Sequence, residues 1–406
     1  MKCFDKKILS LILAGGKGER LYPLTLERTK PSVPFGGKYR IIDFSLSSLI
    51  NSGIYSIYVL VQYKSQSLIE HIRTTWSIAG LPSEYFITVV PPQMRKEELK
   101  DWYRGTADSI YQNINLIYDY KPDIVIILSG DHIYRMDIRK MINYHLEKKA
   151  ELTISTIPVG EKEISQLGIV RINDKRQVLD FKEKPTKVEG SYLASMGNYI
   201  FNTQLLIEAL EEDACKESAH DFGRDIIPSL IKKGVRVYGY DFSTNRIPGI
   251  KSYERSVYWR DVGTIKSYWE ANMDLLGEKP ILDLDNQHWP IYASNLNCPP
   301  AYIAGSEVIN SLVCEGSKVT EAKIKNSILG RGVKIDKDVE IENSIVMDFT
   351  HIKRGSRINS AIIDRFNTIE ENSSIGYDRD KDTKNYYVDS SGIVVVRRGL
   401  RRTFFP

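Results

Sequence analysis

An internal repeat near the C-terminus constrains the fold more than any other feature of this sequence. Aliphatic residues return every seventeen positions in three registers: Leu329, Val346 and Ile363; Ile335, Ile352 and Ile369; and Ile341, Ile358 and Ile375. Within one repeat they are spaced six, six and five residues apart. Such spacing is typical of a left-handed parallel β-helix, in which each coil has three short strands with aliphatic side chains along its axis. We expect three to four coils, and the matched registers disfavour the alternative, the edge of an ordinary sandwich.

The earlier part of the chain alternates short apolar runs with segments of helical spacing. The predicted strands are Ile8–Ala14, Ser56–Val61, Phe86–Val90, Ile124–Leu128 and Leu152–Pro158, and helical spacing appears in Phe44–Asn51 and Met136–Lys149. This alternation predicts an α/β, Rossmann-like domain with a mainly parallel sheet covered on both faces. Ligands of such sheets gather at the carboxyl ends of the strands.

A proline-rich stretch without periodicity separates these two patterns. We therefore predict an α/β catalytic domain at residues 1–276, a linker at 277–301, and a β-helix domain with a C-terminal tail at 302–406.

Composition and charge limit the classes of molecule that the protein can be expected to bind. The 56 basic and 52 acidic residues give a net charge of +4, too small to indicate a nucleic-acid binder, although a small anion is allowed. The four cysteines are scattered without a metal-binding spacing, which favours a reducing cytoplasm. The apolar run Ile8–Ala14 is too short to span a membrane and no signal-peptide cleavage pattern follows it, so we expect no membrane partner.

The first chemical signal is a glycine-rich loop after the first predicted strand, LAGGKGERLYPLTLERTKP from Leu13 to Pro31. Glycine lets backbone N–H groups approach phosphate oxygens without a Cβ clash. The loop is not a P-loop, because it has no Gly-Lys-Ser/Thr, and it is not a dinucleotide fingerprint, because Gly15, Gly16 and Gly18 do not have the required glycine spacing. Arg20 and Lys30 follow the turn and suit a leaving pyrophosphate, although a tight turn with two solvated basic residues would look the same.

Two aspartates are candidate metal ligands. Asp131 in LSGDHIYRMD follows the strand Ile124–Leu128, where a parallel sheet places phosphate ligands. Asp261 in YWRDVGT lies between an aromatic strand end and a helix that starts near Thr264. Mg²⁺ prefers one or two carboxylates together with phosphate oxygens and water. Either aspartate alone is more commonly a helix cap or a turn residue.

Two further motifs carry candidate substrate groups. DFKEKP places Glu183 next to Lys184, which can bind sugar hydroxyls and a sugar phosphate, or can form a surface ion pair of little consequence. DWYRGTADSIYQN leads through Gly105 into a predicted helix, and helix N-termini favour anions. Gly105 is therefore a candidate nucleotide contact.

In this order the motifs resemble one family over nearly the whole chain. The resemblance is carried by LAGGKGERL, KPSVPFGGKYRIIDF, WYRGTADSIYQN, GDHIYRMD, KEKP, ASMGNYIF, DFGRDIIP and YWRDVGT. These segments resemble the bacterial glucose-1-phosphate adenylyltransferases, which convert ATP and glucose 1-phosphate into ADP-glucose and pyrophosphate for glycogen synthesis. The resemblance implies Mg²⁺ as cofactor, anionic metabolites as allosteric effectors, and a homotetramer.

The resemblance also implies roles for individual residues. The implied ATP contacts are Leu13, Ala14, Gly15, Gly16, Gly18, Arg20 and Lys30, with Gln93 at the adenine. The implied metal ligands are Asp131 and Asp261. The implied glucose 1-phosphate contacts are Tyr103, Gly168, Glu183, Lys184 and Ser195. Gln62 and Trp102 match positions thought to relay regulation to the active site.

Regulation is where the sequence departs from the best-known pattern of the family. Arg28, Arg40 and Arg365 match its anion-binding arginines. Glu27 stands where some members have an activator-binding lysine, and Pro34 replaces a histidine, so activation by fructose 1,6-bisphosphate does not follow. The C-terminal tail has four more arginines that either contribute to the effector cleft or are solvated: Arg397, Arg398, Arg401 and Arg402.

Three other hypotheses stay open. One is a nucleotidylyltransferase for another sugar or base. The second is a catalytically silent regulatory subunit, against which the intact Arg20, Asp131, Lys184 and Asp261 count. The third is an acyltransferase, because β-helices often carry that chemistry with a histidine. Here the β-helix holds only His351, and the chain has no long extra solenoid.

Overall fold

The computed structural model describes residues 5–76, 85–92, 102–187 and 192–400. Among them, the first part of the chain alternates strands and helices. Its strands are β1 (Ile8–Leu13), β2 (Pro34–Phe35), β3 (Tyr39–Arg40), β4 (Ser56–Leu60), β5 (Phe86–Val90), β6 (Ile124–Ser129), β7 (His132–Tyr134), β8 (Leu152–Pro158), β9 (Gly168–Ile172), β10 (Val178–Glu183), β11 (Leu193–Asn202), β12 (Val237–Asp241) and β13 (Trp259–Asp261). Its α-helices are α1 (Ile41–Asn51), α2 (Gln66–Thr75), α3 (Thr106–Tyr111), α4 (Asn115–Tyr120), α5 (Ile138–Glu147), α6 (Thr203–Ala214), α7 (Ile227–Lys232) and α8 (Ile265–Met273). None of the helices in these ranges has the length and apolar character that crossing a membrane requires.

Burial along β1 explains why its residues form a two-sided sheet. Leu9 and Leu11 pack into one hydrophobic core, whereas Ile12 packs into another. Successive side chains of a strand point to opposite faces, so a strand covered on both sides is mostly apolar, and in β1 only the small Ser10 is polar. Each fully buried aliphatic side chain of this kind stabilises the fold by about 1.5–3 kcal/mol.

The large sheet has a parallel half, which runs from β6 to the edge strand β5, and a half with antiparallel pairings around β11. The order among described residues is β10-β9-β11-β6-β1-β4-β5, and β8 pairs with both β11 and β12. β1 is parallel to β4 and β6, and β4 is parallel to β5. β11 runs antiparallel to β6, β8 and β9, and β9 and β10 form an antiparallel pair. The predicted α/β class is confirmed.

Strand order brings distant loops to one edge of the molecule. Leu13 at the end of β1 is the register partner of Ser129 at the end of β6. The glycine-rich loop and Asp131 therefore leave the sheet at the same edge. The antiparallel pairing of β13 with β7 places Asp261 opposite His132, which brings the second aspartate there as well.

The C-terminal part is a left-handed parallel β-helix, as predicted. Its strands are β14 (Tyr302–Ala304), β15 (Glu307–Ile309), β16 (Leu312–Val313), β17 (Lys318–Thr320), β18 (Lys323–Lys325), β19 (Ile328–Leu329), β20 (Lys334–Ile335), β21 (Glu340–Glu342), β22 (Ile345–Val346), β23 (His351–Ile352), β24 (Arg357–Asn359), β25 (Ala361–Ile363), β26 (Thr368–Ile369), β27 (Ser374–Ile375), β28 (Tyr387–Val388) and β29 (Val394–Val396), with helix α9 (Arg379–Asn385) before β28. They form three sheets, β14-β17-β20-β23-β26, β15-β18-β21-β24-β27 and β16-β19-β22-β25-β29-β28.

The β-helix is longer than the predicted three to four coils. Each of its sheets contains five parallel strands among the described residues. The period changes along the axis: Ile303 pairs with Val319 and Val319 with Ile335, sixteen residues apart, whereas Ile335 pairs with Ile352, seventeen residues apart. A strict seventeen-residue register therefore misses the first coil.

Contacts between the two parts are apolar and close. A third hydrophobic core joins α8 to strands β19, β22 and β25. Trp269 Nε1 donates to the Asn343 carbonyl over 2.9 Å. Gly37 has φ +84°, and a Cβ on it would lie 2.4 Å from Cys314 Sγ, so only glycine permits this approach.

The segment 277–301 contains no helix or strand and runs along α1. Asn51 Nδ2 donates to the Pro290 carbonyl, and the Tyr292 amide donates to Ser47 Oγ, each over 2.9 Å. These contacts fit a linker that lies on the surface of the first part. The domain boundaries at residues 276 and 301 stay predictions.

Candidate active site

A cleft of about 780 Å³ opens at the edge of the sheet where β1 and β6 end. It is lined by most of the residues that the sequence assigned to ATP, metal and glucose 1-phosphate, together with one predicted relay residue. They are Leu13, Ala14, Gly15, Gly16, Gly18, Arg20, Lys30, Gln62, Tyr103, Gly105, Asp131, Gly168, Glu183, Lys184, Ser195 and Asp261.

The glycine-rich loop leaves its backbone accessible from this cleft. A Cβ on Gly16 would meet no atom within 4 Å, so this position is open. Gly18 has φ +63°, and its carbonyl accepts a hydrogen bond from Thr25 Oγ1 over 2.9 Å. A Cβ there would lie 3.2 Å from Lys30 Cβ, so the loop also packs against the lysine. The arrangement suits close approach of phosphates to the backbone.

Two carboxylates and one ammonium form the centre of the cleft. Lys30 Nζ lies 2.9 Å from Asp131 Oδ2 and 2.8 Å from Asp261 Oδ1. Arg20 Nη2 lies 3.7 Å from Asp261 Oδ2 and is half exposed. One ligand atom from each of Asp131, His132 and Asp261 lies within 4.8 Å of the others. The two aspartates therefore form a compact set of oxygen donors of the kind that Mg²⁺ binds.

The charges of this cluster stabilise each other. Burial alone would lower the pKa of Lys30, but Asp131 and Asp261 outweigh burial and hold that pKa above its ordinary value. Burial would likewise raise the pKa of Asp131, but the Lys30 ammonium and then His132 hold it below its usual range. Both aspartates are therefore ionised and Lys30 is protonated at neutral pH.

Glu183 lies on the opposite side of the cleft, at the end of β10. Burial raises the pKa of its carboxyl group despite the nearby Lys184 ammonium, whose Nζ lies 3.6 Å from Glu183 Oε1. A Cβ on Gly168 would lie 2.8 Å from Glu183 Oε2, and one on Gly223 would lie 2.6 Å from it. Two glycines therefore make room for this carboxylate.

Gly223 is a functional candidate that the sequence analysis missed. It lines the cleft and follows Asp221, whose Oδ1 accepts the Gly223 amide over 2.9 Å. Its segment DFGRDIIP was part of the family resemblance, but no role was assigned to the glycine. Gly223 and Glu183 are far apart in the sequence, so local spacing does not reveal that they lie close together.

The loop before α3 contributes differently from the expectation. The amides of Ala107 and Asp108 donate to the His220 carbonyl over 2.8 and 3.3 Å. The N-terminus of α3 therefore does not offer these two donors to an anion, although Gly105 lines the cleft and its nucleotide contact stays a prediction. A Cβ on Gly105 would lie 2.3 Å from the carbonyl oxygens of Ala219 and His220, so this glycine permits the packing.

Tyr103 and Gln62 connect this loop to the glycine-rich loop. Gln62 Nε2 donates to the Tyr103 carbonyl over 3.1 Å, and a Cβ on Gly15 would lie 3.2 Å from Gln62 Cβ. Asn113 Nδ2 donates to Tyr103 Oη over 2.9 Å, which orients the phenol. Gln62 therefore lies between the two loops that line the cleft.

The predicted relay residue Trp102 lies outside the cleft lining. Trp102 is 55% exposed and stacks on Tyr63 with ring centroids 5.1 Å apart. It does not line the cleft, although Tyr63 does. Gln93, assigned to the adenine, lies outside the described residues.

Comparisons with known proteins agree with this geometry. Residues 9–278 match a nucleotidyl transferase family model, and residues 301–396 match a model of the GlmU-like C-terminal hexapeptide. A glucose-1-phosphate adenylyltransferase of Thermodesulfovibrio yellowstonii is 50% identical over 402 residues, which cover 97% of each chain. The chain belongs to the glucose-1-phosphate adenylyltransferase family. Proteins of that name from Thermus thermophilus and Photobacterium profundum are 46% and 45% identical, over 97% of this chain and 99% and 98% of theirs.

The three arginines that match the family's effector site lie together, outside the cleft lining. The guanidinium of Arg28 is fully buried and contacts Asp364 of the β-helix. Burial, followed by the neighbouring Arg365 and Arg28, lowers the pKa of Arg40 to about 9. Burial also lowers the pKa of Arg365 to about 10, and Arg28 contributes to that shift. A group of cations that repel one another favours an anion.

Arg331 extends this group and was missed from the sequence. Its Nη1 donates to the Ser294 hydroxyl over 2.6 Å, and its Nη2 lies 3.4 Å from Asp348 Oδ2. Arg331 Nε and Arg28 Nη1 are buried with no hydrogen-bond acceptor among the described residues. Buried guanidinium donors without a partner are costly unless a ligand or water accepts from them.

Glu27, one of the two positions that depart from the family pattern, forms an ion pair within the chain. Glu27 Oε2 lies 3.1 Å from Arg398 Nη1 of the C-terminal tail. Arg397 lies over the ring of Tyr22, with its Cζ 5.4 Å from the ring centroid. Part of the tail therefore contacts the first part of the chain, whereas Arg401 and Arg402 lie outside the described residues.

Proposed function

We propose that this chain transfers the adenylyl group of ATP to glucose 1-phosphate, giving ADP-glucose and pyrophosphate. The observation that carries the proposal is the cluster of Lys30, Asp131 and Asp261 between the glycine-rich loop and the Glu183–Lys184 motif. A nucleotide and a sugar phosphate can meet there. Membership of the glucose-1-phosphate adenylyltransferase family supports this choice of substrates.

The reaction needs positioning and charge compensation rather than a protein nucleophile. A phosphate oxygen of glucose 1-phosphate bonds to the α-phosphorus as the bond to pyrophosphate breaks, and the electron pair leaves with pyrophosphate. Repulsion between the two polyanions is the main obstacle. Two unit charges about 4 Å apart repel by about 4 kcal/mol at an effective dielectric near 20. Removing that repulsion by fixed cations in a cleft accelerates phosphoryl-type transfer.

Each side of the cleft has a part in this scheme. The loop from Leu13 to Gly18 binds the triphosphate through its backbone, and Arg20 and Lys30 stabilise the leaving pyrophosphate. Asp131 and Asp261 would hold Mg²⁺, which compensates phosphate charge when bound. Both carboxylates are ionised and close together, so the residues present fit this ion.

The sugar phosphate is assigned to the other side. Lys184 compensates its phosphate, and Glu183 accepts hydrogen bonds from sugar hydroxyls. Tyr103, Gly168 and Ser195 complete the binding site. Glu183 must be ionised to accept such bonds with full strength, because charged acceptors form the stronger hydrogen bonds.

The group formed by Arg28, Arg40, Arg331 and Arg365 is proposed as an allosteric site for anionic metabolites. Its support is the concentration of buried guanidinium groups at the contact between the two parts of the chain. Glu27 is negatively charged and is paired with Arg398. It therefore does not select an activator by binding its phosphate, as a lysine at position 27 would. We also propose a cytoplasmic homotetramer that supplies glycogen synthesis.

The test is pyrophosphate release from purified protein with glucose 1-phosphate and each of the common nucleoside triphosphates, with and without phosphate-ester effectors. The expected result is the highest kcat/KM with ATP. Preference for another nucleotide or sugar phosphate would make the chain a different nucleotidylyltransferase. No release with any pair would favour a regulatory subunit.

A further inference from the structure

The ammonium of Lys30 has an arrangement that phosphate binding alone does not explain. It lies between the two carboxylates, 2.9 Å from Asp131 and 2.8 Å from Asp261. Its side chain is only 7% exposed, whereas those of Asp131 and Asp261 are 33% and 19% exposed. A lysine kept free for phosphates would point into the open cleft. The Lys30 ammonium instead lies between the two carboxylates, where a metal ion bound by both of them would lie.

The backbone fixes Lys30 at this point. Lys30 begins a single 3₁₀ turn, Lys30–Ser32, with Pro31 in its first positions. Gly18 packs against the lysine stem from the glycine-rich loop. Arg20 is the other nearby cation, but it is half exposed and lies 3.7 Å from one aspartate only. Lys30 is therefore the buried partner of both carboxylates.

Charge balance then determines when a divalent ion can enter. The two carboxylates carry two negative charges, and Lys30 and Arg20 carry two positive ones, so these four groups balance even without His132, which lies 3.5 Å from Asp131. A divalent ion that enters alone would meet an ammonium in a largely buried site, where like charges repel strongly. A nucleoside triphosphate brings negative charge and offers Lys30 new acceptors.

We propose that Lys30 is the resident counter-ion of the two proposed metal ligands, so that a divalent ion occupies them only together with a nucleotide. In the exchange the ammonium keeps its proton and moves from the carboxylates to a phosphate oxygen. The inference rests on the proposed roles of Asp131 and Asp261. In this proposal Lys30 first holds the two carboxylates in position, and it contacts a phosphate only after nucleotide and metal have bound.

The test measures Mn²⁺ held by the whole protein in equilibrium dialysis, with and without a non-hydrolysable ATP analogue, because Mn²⁺ complexed by free nucleotide has the same concentration on both sides of the membrane. Wild-type protein should bind Mn²⁺ weakly alone and at least about tenfold more tightly with the analogue. Lys30→Met keeps the aliphatic stem and removes the charge. It should bind Mn²⁺ at least about tenfold more tightly than wild type in the absence of nucleotide.

Lys184→Met is the matched control, because Lys184 lies in the same cleft but contacts Glu183. It should leave nucleotide-free Mn²⁺ affinity within about twofold of wild type. Equal affinity of Lys30→Met and wild type for Mn²⁺, or tight nucleotide-free binding by wild type, would overturn the counter-ion role.

Two further measurements separate this role from folding defects and from the proposed function. Lys30→Met should lose thermal stability in metal-free buffer and regain it with Mn²⁺, whereas a purely structural lysine would give a loss that metal does not restore. Asp131→Asn should abolish Mn²⁺ binding in the presence of the ATP analogue. If it does not, the metal assignment itself fails. If it does and Lys30→Met still binds no more tightly than wild type, only the counter-ion inference fails.

Discussion

Gly223→Ala tests the close approach of Gly223 to Glu183, which the structure shows and the sequence motifs do not. The new Cβ would lie 2.6 Å from Glu183 Oε2 and 3.2 Å from Phe181 Cε1. Gly223 does not use a positive φ, so alanine brings no backbone strain. The nearest atom is the end of a flexible side chain, which can rotate away. The fold should therefore survive while the carboxylate leaves its position.

The size of the effect follows from the interaction that is lost. A hydrogen bond to a charged group contributes about 1.5–3 kcal/mol. Its loss should lower kcat/KM for glucose 1-phosphate by about 10- to 150-fold. The KM for ATP should stay nearly unchanged, because Gly223 contacts the Glu183 side of the cleft.

The assay is initial-rate pyrophosphate release, with each substrate varied at saturation of the other. Gly160→Ala is the control, since its Cβ would make only an ordinary contact, 3.6 Å from Glu163 Oε2. An unchanged KM for glucose 1-phosphate in Gly223→Ala, or equal effects on both substrates, would refute the role given to this contact.

Four other predictions concern charged groups. Asp131→Asn should abolish turnover in a folded protein, because one proposed metal ligand loses its charge; activity like that of wild type would contradict the metal assignment. Lys184→Ala should raise the KM for glucose 1-phosphate at least about tenfold and that for ATP much less; equal effects would refute its role. Burial raises the pKa of Glu183, so the KM for glucose 1-phosphate should rise as pH falls through this raised pKa, and Glu183→Gln should remove that pH dependence. Arg28→Ala removes the guanidinium that contacts the buried Asp364 carboxylate and leaves it the Arg365 amide, and should lower the free energy of unfolding by about 3 kcal/mol; chemical denaturation that shows no loss would contradict the buried pair.

The regular parts of the fold could be predicted because their patterns are local. The seventeen-residue register predicted the β-helix, and apolar runs predicted β5 and β8 with the observed bounds. The first coil escaped because its period is sixteen. The insertion with α9 and β28 carries no repeat, so nothing in the spacing predicted that β29 would return to the third sheet.

The candidate site could be predicted only where a motif carries it. The loop after β1, Asp131, Asp261, Glu183 and Lys184 were all named from such motifs, and they line one cleft. Their proposed roles stay predictions. The two aspartates were candidate metal ligands before the resemblance matched them to the family's metal positions, whereas strand spacing alone does not determine that they meet.

Contacts between distant segments account for what the sequence analysis missed. The amides at the start of α3 donate to His220, a residue more than one hundred positions away, so helix position alone misled. Lys30 was assigned to phosphates because its place between the aspartates depends on β13 pairing with β7. Arg331 joins the arginine group through Asp348, which also lies near Arg365, and it comes from a different coil of the β-helix than Arg365.

The most direct test of adenylyl transfer follows a labelled phosphorus. Purified protein is incubated with glucose 1-phosphate, Mg²⁺ and ATP that carries ³²P at either the α or the γ position. We predict that α-label appears in ADP-glucose and that γ-label appears in pyrophosphate. Label from the γ position in a sugar product, or in inorganic phosphate with no ADP-glucose formed, would contradict transfer of the adenylyl group.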